Sequence, residues 1–302
     1  MREKLNLLPG LGNLRRALCV NHGGTKISPF RRLTGEFKMR YRLSQDARPQ
    51  ALTLLIAATI SVVLSFIPYA EFLNYPFRIF VTFIHEGGHA LAALLTGNSV
   101  ASLSVATDAS GLTYTSEGGL FSQMFISSAG YLGSMAFGAL LLVLIRKAVA
   151  ARIVLLACGI FIFALTMVFG LFKPVFWMTA WSGIPFTLFA GIVISVGLVL
   201  IAKFASARVA TFFVSFLAVQ CVLNALFDLK TVFFLSAPFV GQNVHTDAMN
   251  MAHATGIPAI FWTVIWIAFA LGILWFAMRL YVAGRDKSYQ PDLPFEETAP
   301  PV

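Results

Sequence analysis

Residues 77–96 read Phe-Arg-Ile-Phe-Val-Thr-Phe-Ile-His-Glu-Gly-Gly-His-Ala-Leu-Ala-Ala-Leu-Leu-Thr, an apolar run interrupted at its centre by His85-Glu86-Gly87-Gly88-His89. About twenty mostly apolar residues suffice to cross a bilayer as a helix. Ionisable side chains at the centre of such a helix cost about 2.5 to 3.5 kcal/mol each on insertion scales, so three within five residues need a compensating partner. The spacing names one. Histidines at i and i+4 share a helical face and can hold one Zn²⁺, and Glu86 beside them can take a proton from a water that the metal activates. The plainer alternative is a polar patch that pairs with neighbouring helices or lines a water-filled cavity. Gly87 and Gly88 weaken the helix, and the expected benefit is close approach of a neighbouring backbone or of substrate.

Outward from this segment, apolar runs recur from residue 51 to residue 282. The 302 residues are 58% hydrophobic and 12% charged, with a mean hydropathy of +0.80. These values exclude a soluble enzyme domain, a disordered chain and a disulfide scaffold. The pattern predicts an all-α polytopic membrane protein with about seven transmembrane helices, near 51–70, 77–96, 121–145, 153–172, 183–203, 209–232 and 259–282. Pro76 reads as the N-terminal proline of the second and Gly97-Asn98 as its stop. Residues 173–185, with Pro174, Trp177, Trp181 and Pro185, read as an interfacial connection. Cys19, Cys158 and Cys221 are too scattered for a disulfide framework or a thiolate cluster.

The charge is unevenly placed. Residues 1–48 carry 11 of the 22 Lys and Arg against three acids. A basic segment before a first spanning helix marks the cytoplasmic side, so residues 1–50 are expected to form a basic, disordered cytoplasmic leader. Its few aromatic residues, Phe30, Phe37 and Tyr41, are not interleaved in the way base stacking would want, and no nucleic-acid partner is expected. The first apolar run begins too deep for a cleaved signal peptide, and Met39 is an alternative start. With the leader inside, Arg146, Lys147 and Arg152 fall outside, against the usual bias. The transmembrane domain spans 51–283, and 284–302, rich in acids and prolines, reads as a disordered tail.

Segment 98–117 departs from the helical pattern. Ser102 and Ser104 alternate with Leu103 and Val105, Thr113 and Thr115 alternate with Leu112 and Tyr114, and Asp108-Ala109-Ser110-Gly111 lies between them. This predicts a small β-hairpin inserted after the histidine-bearing helix. Farther on, Gly130, Ser134 and Gly138 form a small-residue stripe suited to tight helix packing.

Two histidines leave a catalytic zinc short of its usual three protein ligands. Asp228 is the only acid in the later spanning helices, and helix parity makes its helix parallel to that of His85. Its alternative is a local ion pair with Lys230. Asn224, one turn earlier, can hydrogen-bond a ligand, a water or substrate. His245, Asp247 and His253, in the connection 236–258, remain alternative ligands.

Together, Phe83-Ile-His-Glu-Gly-Gly-His-Ala-Leu-Ala, the hairpin after it, Ala129-Gly-Tyr-Leu-Gly-Ser, Asn224-Ala-Leu-Phe-Asp228-Leu, and Asp247-Ala with Thr255-Gly-Ile-Pro-Ala resemble the site-2 protease family of intramembrane zinc metallopeptidases, in its compact B-like bacterial branch. The resemblance covers about residues 50–282. It implies one zinc per chain held by His85, His89 and Asp228, with Glu86 as general base and a site open to the cytoplasm. It also implies a strand element that holds an extended substrate, with Ser102, Ser104, Gly130 and Asn224 in binding or supporting roles. Asp228 is followed by Leu229 where better-known members have glycine, and no PDZ-like insertion is present.

The expected function is hydrolysis of membrane-embedded or juxtamembrane peptide bonds, in a bacterial inner membrane. The partners are a membrane-protein or peptide substrate and the lipid bilayer. Against it stand a non-proteolytic pseudoprotease that binds membrane clients, and a metal transporter, which would carry polar residues through several helices. A prenyl-peptide protease would need a later helical glutamate that the chain lacks.

Overall fold

The computed structural model describes residues 48–67, 71–116, 118–146, 150–177, 181–236 and 246–282. The chain forms α1 (Arg48–Phe66), α2 (Glu71–Leu95), β1 (Val100–Val105), β2 (Gly111–Thr115), α3 (Leu120–Arg146) and α4 (Ala151–Leu165). A π-helical turn (Thr166–Phe172) carries α4 into α5 (Lys173–Trp177). A short 3-10 turn (Trp181–Gly183) leads to α6 (Ile184–Phe204), α7 (Ala207–Leu235), α8 (Asp247–Thr255) and α9 (Ala259–Val282). The leader up to residue 47, His245 and the tail lie outside the described residues.

Each of the seven expected spans coincides with a helix. Among the described residues, five helical stretches are long and apolar enough to cross a membrane: Leu120–Arg146, Ala151–Phe176, Ile184–Phe204, Ala207–Leu235 and Ala259–Tyr281. This is an integral membrane protein. The apolar run of α1 is shorter, Ala51–Leu64, and α2 carries Glu71, Arg78 and the ionisable pentad within its 25 residues. Pro76 lies inside α2 rather than at its start. Because the helix begins at Glu71, Pro76 is its sixth residue and removes the backbone bond to the Phe72 carbonyl in the second turn.

Large apolar side chains such as Phe189 on α6 and Phe269 on α9 are exposed. In water they would be a liability, but in hydrocarbon they form the lipid-facing surface, so association of the helices relies on close packing. α3 is the centre of that packing, in contact with α2, α7, α8 and α9. Its small-residue stripe serves two neighbours: Gly130 lies against α2, and Gly138 lies against the Ala218 carbonyl and Cys221 of α7. On the α2 side, Gly88 meets the Ala129 carbonyl so closely that a Cβ would collide with it.

The hairpin forms as an antiparallel pair with Leu103 opposite Thr113 and Val105 opposite Gly111. Its turn contains Ala109 with φ of 67°. The Asp108 carboxylate accepts from the Ser110 backbone N–H at 2.9 Å and from its hydroxyl at 2.6 Å, and these two bonds hold the Asp108 carboxyl below the usual range. On the far side, Val105 N–H donates to Thr187 Oγ1 of α6 at 2.9 Å. The hairpin is therefore wedged between α2 and α6, with β2 nearer α2.

The connection expected over 236–258 contains α8. Thr246 caps its first turn by accepting from Met249 N–H, and Gly256, at φ 72°, ends it in the left-handed region that glycine enters at little cost.

Candidate functional site

Two adjacent stripes of α2 divide the work. Tyr75, Thr82 and Glu86, spaced by seven and four residues, face the hairpin. Arg78, His85 and His89, with the same spacing, face a cavity of about 790 Å³ bounded by α2, β2, α3, α7 and α8.

The hairpin stripe is tied down along its length. The Tyr75 hydroxyl donates to the Thr107 carbonyl at 2.6 Å, and Thr82 Oγ1 donates to the Ala109 carbonyl at 2.8 Å. Thr113 Oγ1 of β2 donates to Glu86 Oε2 at 2.7 Å. A Cβ on Gly111 would lie 2.6 Å from both Cγ and Oε1 of Glu86, so only glycine lets the strand come this close. Glu86 is 5% exposed and fixed in orientation at the cavity wall.

On the other stripe, His89 Nδ1 lies 2.7 Å from the Ile126 carbonyl oxygen. A carbonyl only accepts, so Nδ1 carries the proton and Nε2 presents its lone pair to the cavity. His85 Nε2 is 3.1 Å from His89 Nε2, and Asp247 Oδ2 is 3.4 Å from the first and 3.3 Å from the second. Tetrahedral zinc with bonds of about 2.0–2.1 Å spaces its ligand atoms about 3.3 Å apart, so these three atoms form one face of such a tetrahedron. The space beside both Nε2 atoms is open because residue 130 is glycine: a Cβ there would collide with both imidazoles. The donor set and this cradle fit a zinc ion. The donor atoms of Glu86, His85 and His89 all lie within 4.8 Å of one another, which sets the carboxylate beside the donor triangle.

The structure brings together His85, Glu86, His89 and Gly130, with Asn224 and Asp228 on the α7 wall of the same cavity. Asp228 makes no ion pair with either histidine; that place is taken by Asp247. Burial alone would raise the Asp247 carboxyl, but the adjacent His89 and His85 imidazoles override it and hold it well below the usual carboxylate range. His253, also on α8, lines the same cavity. Ser102 and Ser104 lie on β1, away from the cavity. The Ser102 hydroxyl is buried, and Ser104 Oγ donates to the Leu112 carbonyl at 3.3 Å.

Thr113, Tyr131 and Arg78 also line the cavity, and little in the sequence marks them. Thr113 sits among other hairpin threonines, and nothing in the alternation marks it. The Tyr131 ring packs edge-on against His85 with centroids 4.7 Å apart and continues into Trp266 at 5.5 Å. Arg78 is detectable as a lone cation two turns before His85.

The Peptidase M50B-like family model matches residues 53–277. The chain belongs to that family. As an M50B-like chain it is matched across every element that builds the cavity, from α1 into α9, whereas the leader and tail lie outside the match. No curated protein and no solved structure matches the chain.

Proposed function

We propose that this M50B-like protein is a zinc-dependent intramembrane protease that hydrolyses peptide bonds of membrane-embedded or juxtamembrane substrates. Its metal ligands are His85, His89 and Asp247, and its general base is Glu86. The observation that carries the reading is the 3.1, 3.3 and 3.4 Å triangle of donor atoms beside a clamped carboxylate. Zinc held there would supply Lewis-acid polarisation of the scissile carbonyl.

The remaining roles belong to the chain. Glu86 takes the proton from the attacking water and gives it to the leaving amine. Thr113 and Gly111 keep that carboxylate aimed into the cavity. The Ile126 carbonyl holds His89 in the tautomer that can ligate. β2 borders the cavity and offers an extended substrate a strand to lie beside. A substrate helix must unwind locally first, because its own hydrogen bonds shield its peptide groups.

α1 and α2 complete a seven-span arrangement with the five helical stretches that are long and apolar enough to cross a membrane, and the basic leader argues for a cytoplasmic N-terminus in a bacterial inner membrane. Glu86→Gln is the direct test. It is expected to retain zinc and lose cleavage of a membrane-spanning substrate in proteoliposomes; retained cleavage contradicts the mechanism.

A further inference from the structure

We propose that a second cavity, between α1, α2 and α7, is a substrate side-chain subsite that takes a carboxamide, the side chain of Asn or Gln. The proposal rests on the proteolytic reading above and adds a specificity to it.

The cavity holds about 290 Å³ and shares Arg78, Asn224 and Asp228 with the larger one, so it opens off the catalytic space. Its inner wall is already hydrogen-bonded. Gln220 Nε2 donates to Asn74 Oδ1 at 3.2 Å and to Ser61 Oγ at 3.4 Å. Asn224 Nδ2 donates to the Gln220 carbonyl at 2.8 Å and to Gln220 Oε1 at 3.2 Å. This network ties α1, α2 and α7 together and uses up most of its own donors and acceptors. At the mouth the situation is reversed. Among the described residues, neither the Arg78 guanidinium nor the Asp228 carboxylate has an ion pair or side-chain hydrogen bond. Both are exposed to the cavity rather than packed away.

Arg78 and Asp228 act on each other electrostatically across the cavity without a direct ion pair, so a polar group lying between them can engage both at once. Their signs restrict what that is. A lysine side chain can pair with Asp228 but is repelled by Arg78, a glutamate side chain can pair with Arg78 but is repelled by Asp228, and an apolar side chain displaces water and leaves both groups without a hydrogen-bonding partner. A carboxamide carries no net charge and offers two N–H donors and a carbonyl acceptor. It can donate to Asp228 and accept from Arg78 at once.

The test uses full-length protein in proteoliposomes with a set of single-span model helices. The members of the set differ only in carrying Gln, Leu, Glu or Lys at each position near the cleaved bond, and products are read by mass spectrometry. The wild type is expected to cleave the Gln member at one fixed position at least about tenfold faster, by kcat/KM, than the other three. Leu64→Trp, which fills the cavity from α1, is expected to remove that advantage while the Leu member is cleaved at about its former rate. Arg78→Gln, which removes the cation beside Asp228, is expected to lower the Gln-to-Lys ratio at least about tenfold. Equal rates for all four members at every position overturn the subsite, as does a Gln preference that survives both substitutions. Cleavage of no member by zinc-loaded wild type overturns the proteolytic reading and the subsite with it.

Discussion

α7 and α8 each bring one aspartate to the same cavity, and they are unlike in every other respect. α7 has 29 residues, is apolar, and is long enough to span the membrane. α8 has nine residues, is more polar, and is held by a cap at each end. On α7, an acid is conspicuous because the helix has so little other charge. On α8, an acid is unremarkable by composition. Yet Asp247 reaches both imidazoles and Asp228 reaches neither. Scarcity of charge identifies residues that need a partner, but only packing decides which partner each one gets.

The largest effects should separate the two aspartates. Asp247→Ala is expected to abolish cleavage in proteoliposomes as completely as Glu86→Gln, whereas Asp228→Ala is expected to retain measurable turnover with altered substrate preference. Equal loss in both would erase the distinction. Next comes the wall that both helices face. Gly130→Ala places a methyl group against both Nε2 atoms and is expected to lower zinc affinity by about 10- to 100-fold, the range seen when groups around a metal ligand are disturbed. Equilibrium competition with a chelator measures it. Thr113→Val should leave zinc binding intact and lower kcat by about the same factor, because it frees the Glu86 carboxylate without touching the histidines.

Much of this architecture was legible in the sequence. Each of the seven apolar runs falls on a helix, and length and hydropathy make five of these helical stretches able to cross a membrane. The hairpin follows from the alternation of 102–105 and 112–115 around an Asp-Ala-Ser-Gly turn. The His85, Glu86 and His89 group follows from i, i+4 geometry. α8 was hidden because nine residues without an apolar stripe resemble a loop, and its signals, Thr246 and Gly256, are caps rather than a pattern. Ser102 and Ser104 were expected near substrate, but it is β2 that borders the cavity while β1 faces inward. Strand alternation tells which residues share a face and cannot tell which strand meets a distant helix.

Smaller effects probe how α8 and the hairpin are held. Thr246→Ala removes the cap of α8 and should cost about 1 kcal/mol locally, seen as faster amide exchange in 247–250 and weaker zinc retention. In the hairpin turn the folded Asp108 carboxyl titrates below its unfolded value. Its contribution is therefore present above the ordinary carboxylate range, near pH 4, and lost as pH falls through the lower folded value. Protection of the Ser110 N–H, taken relative to its intrinsic exchange rate, should fall only on that acid side, and Asp108→Asn should flatten the dependence.

Zinc content of purified protein tests the central assignment most directly. Wild type and Asp228→Ala are expected to carry about one zinc per chain, and His85→Ala and Asp247→Ala to carry little. Full zinc in Asp247→Ala together with loss in Asp228→Ala would contradict the account and return the third ligand to α7.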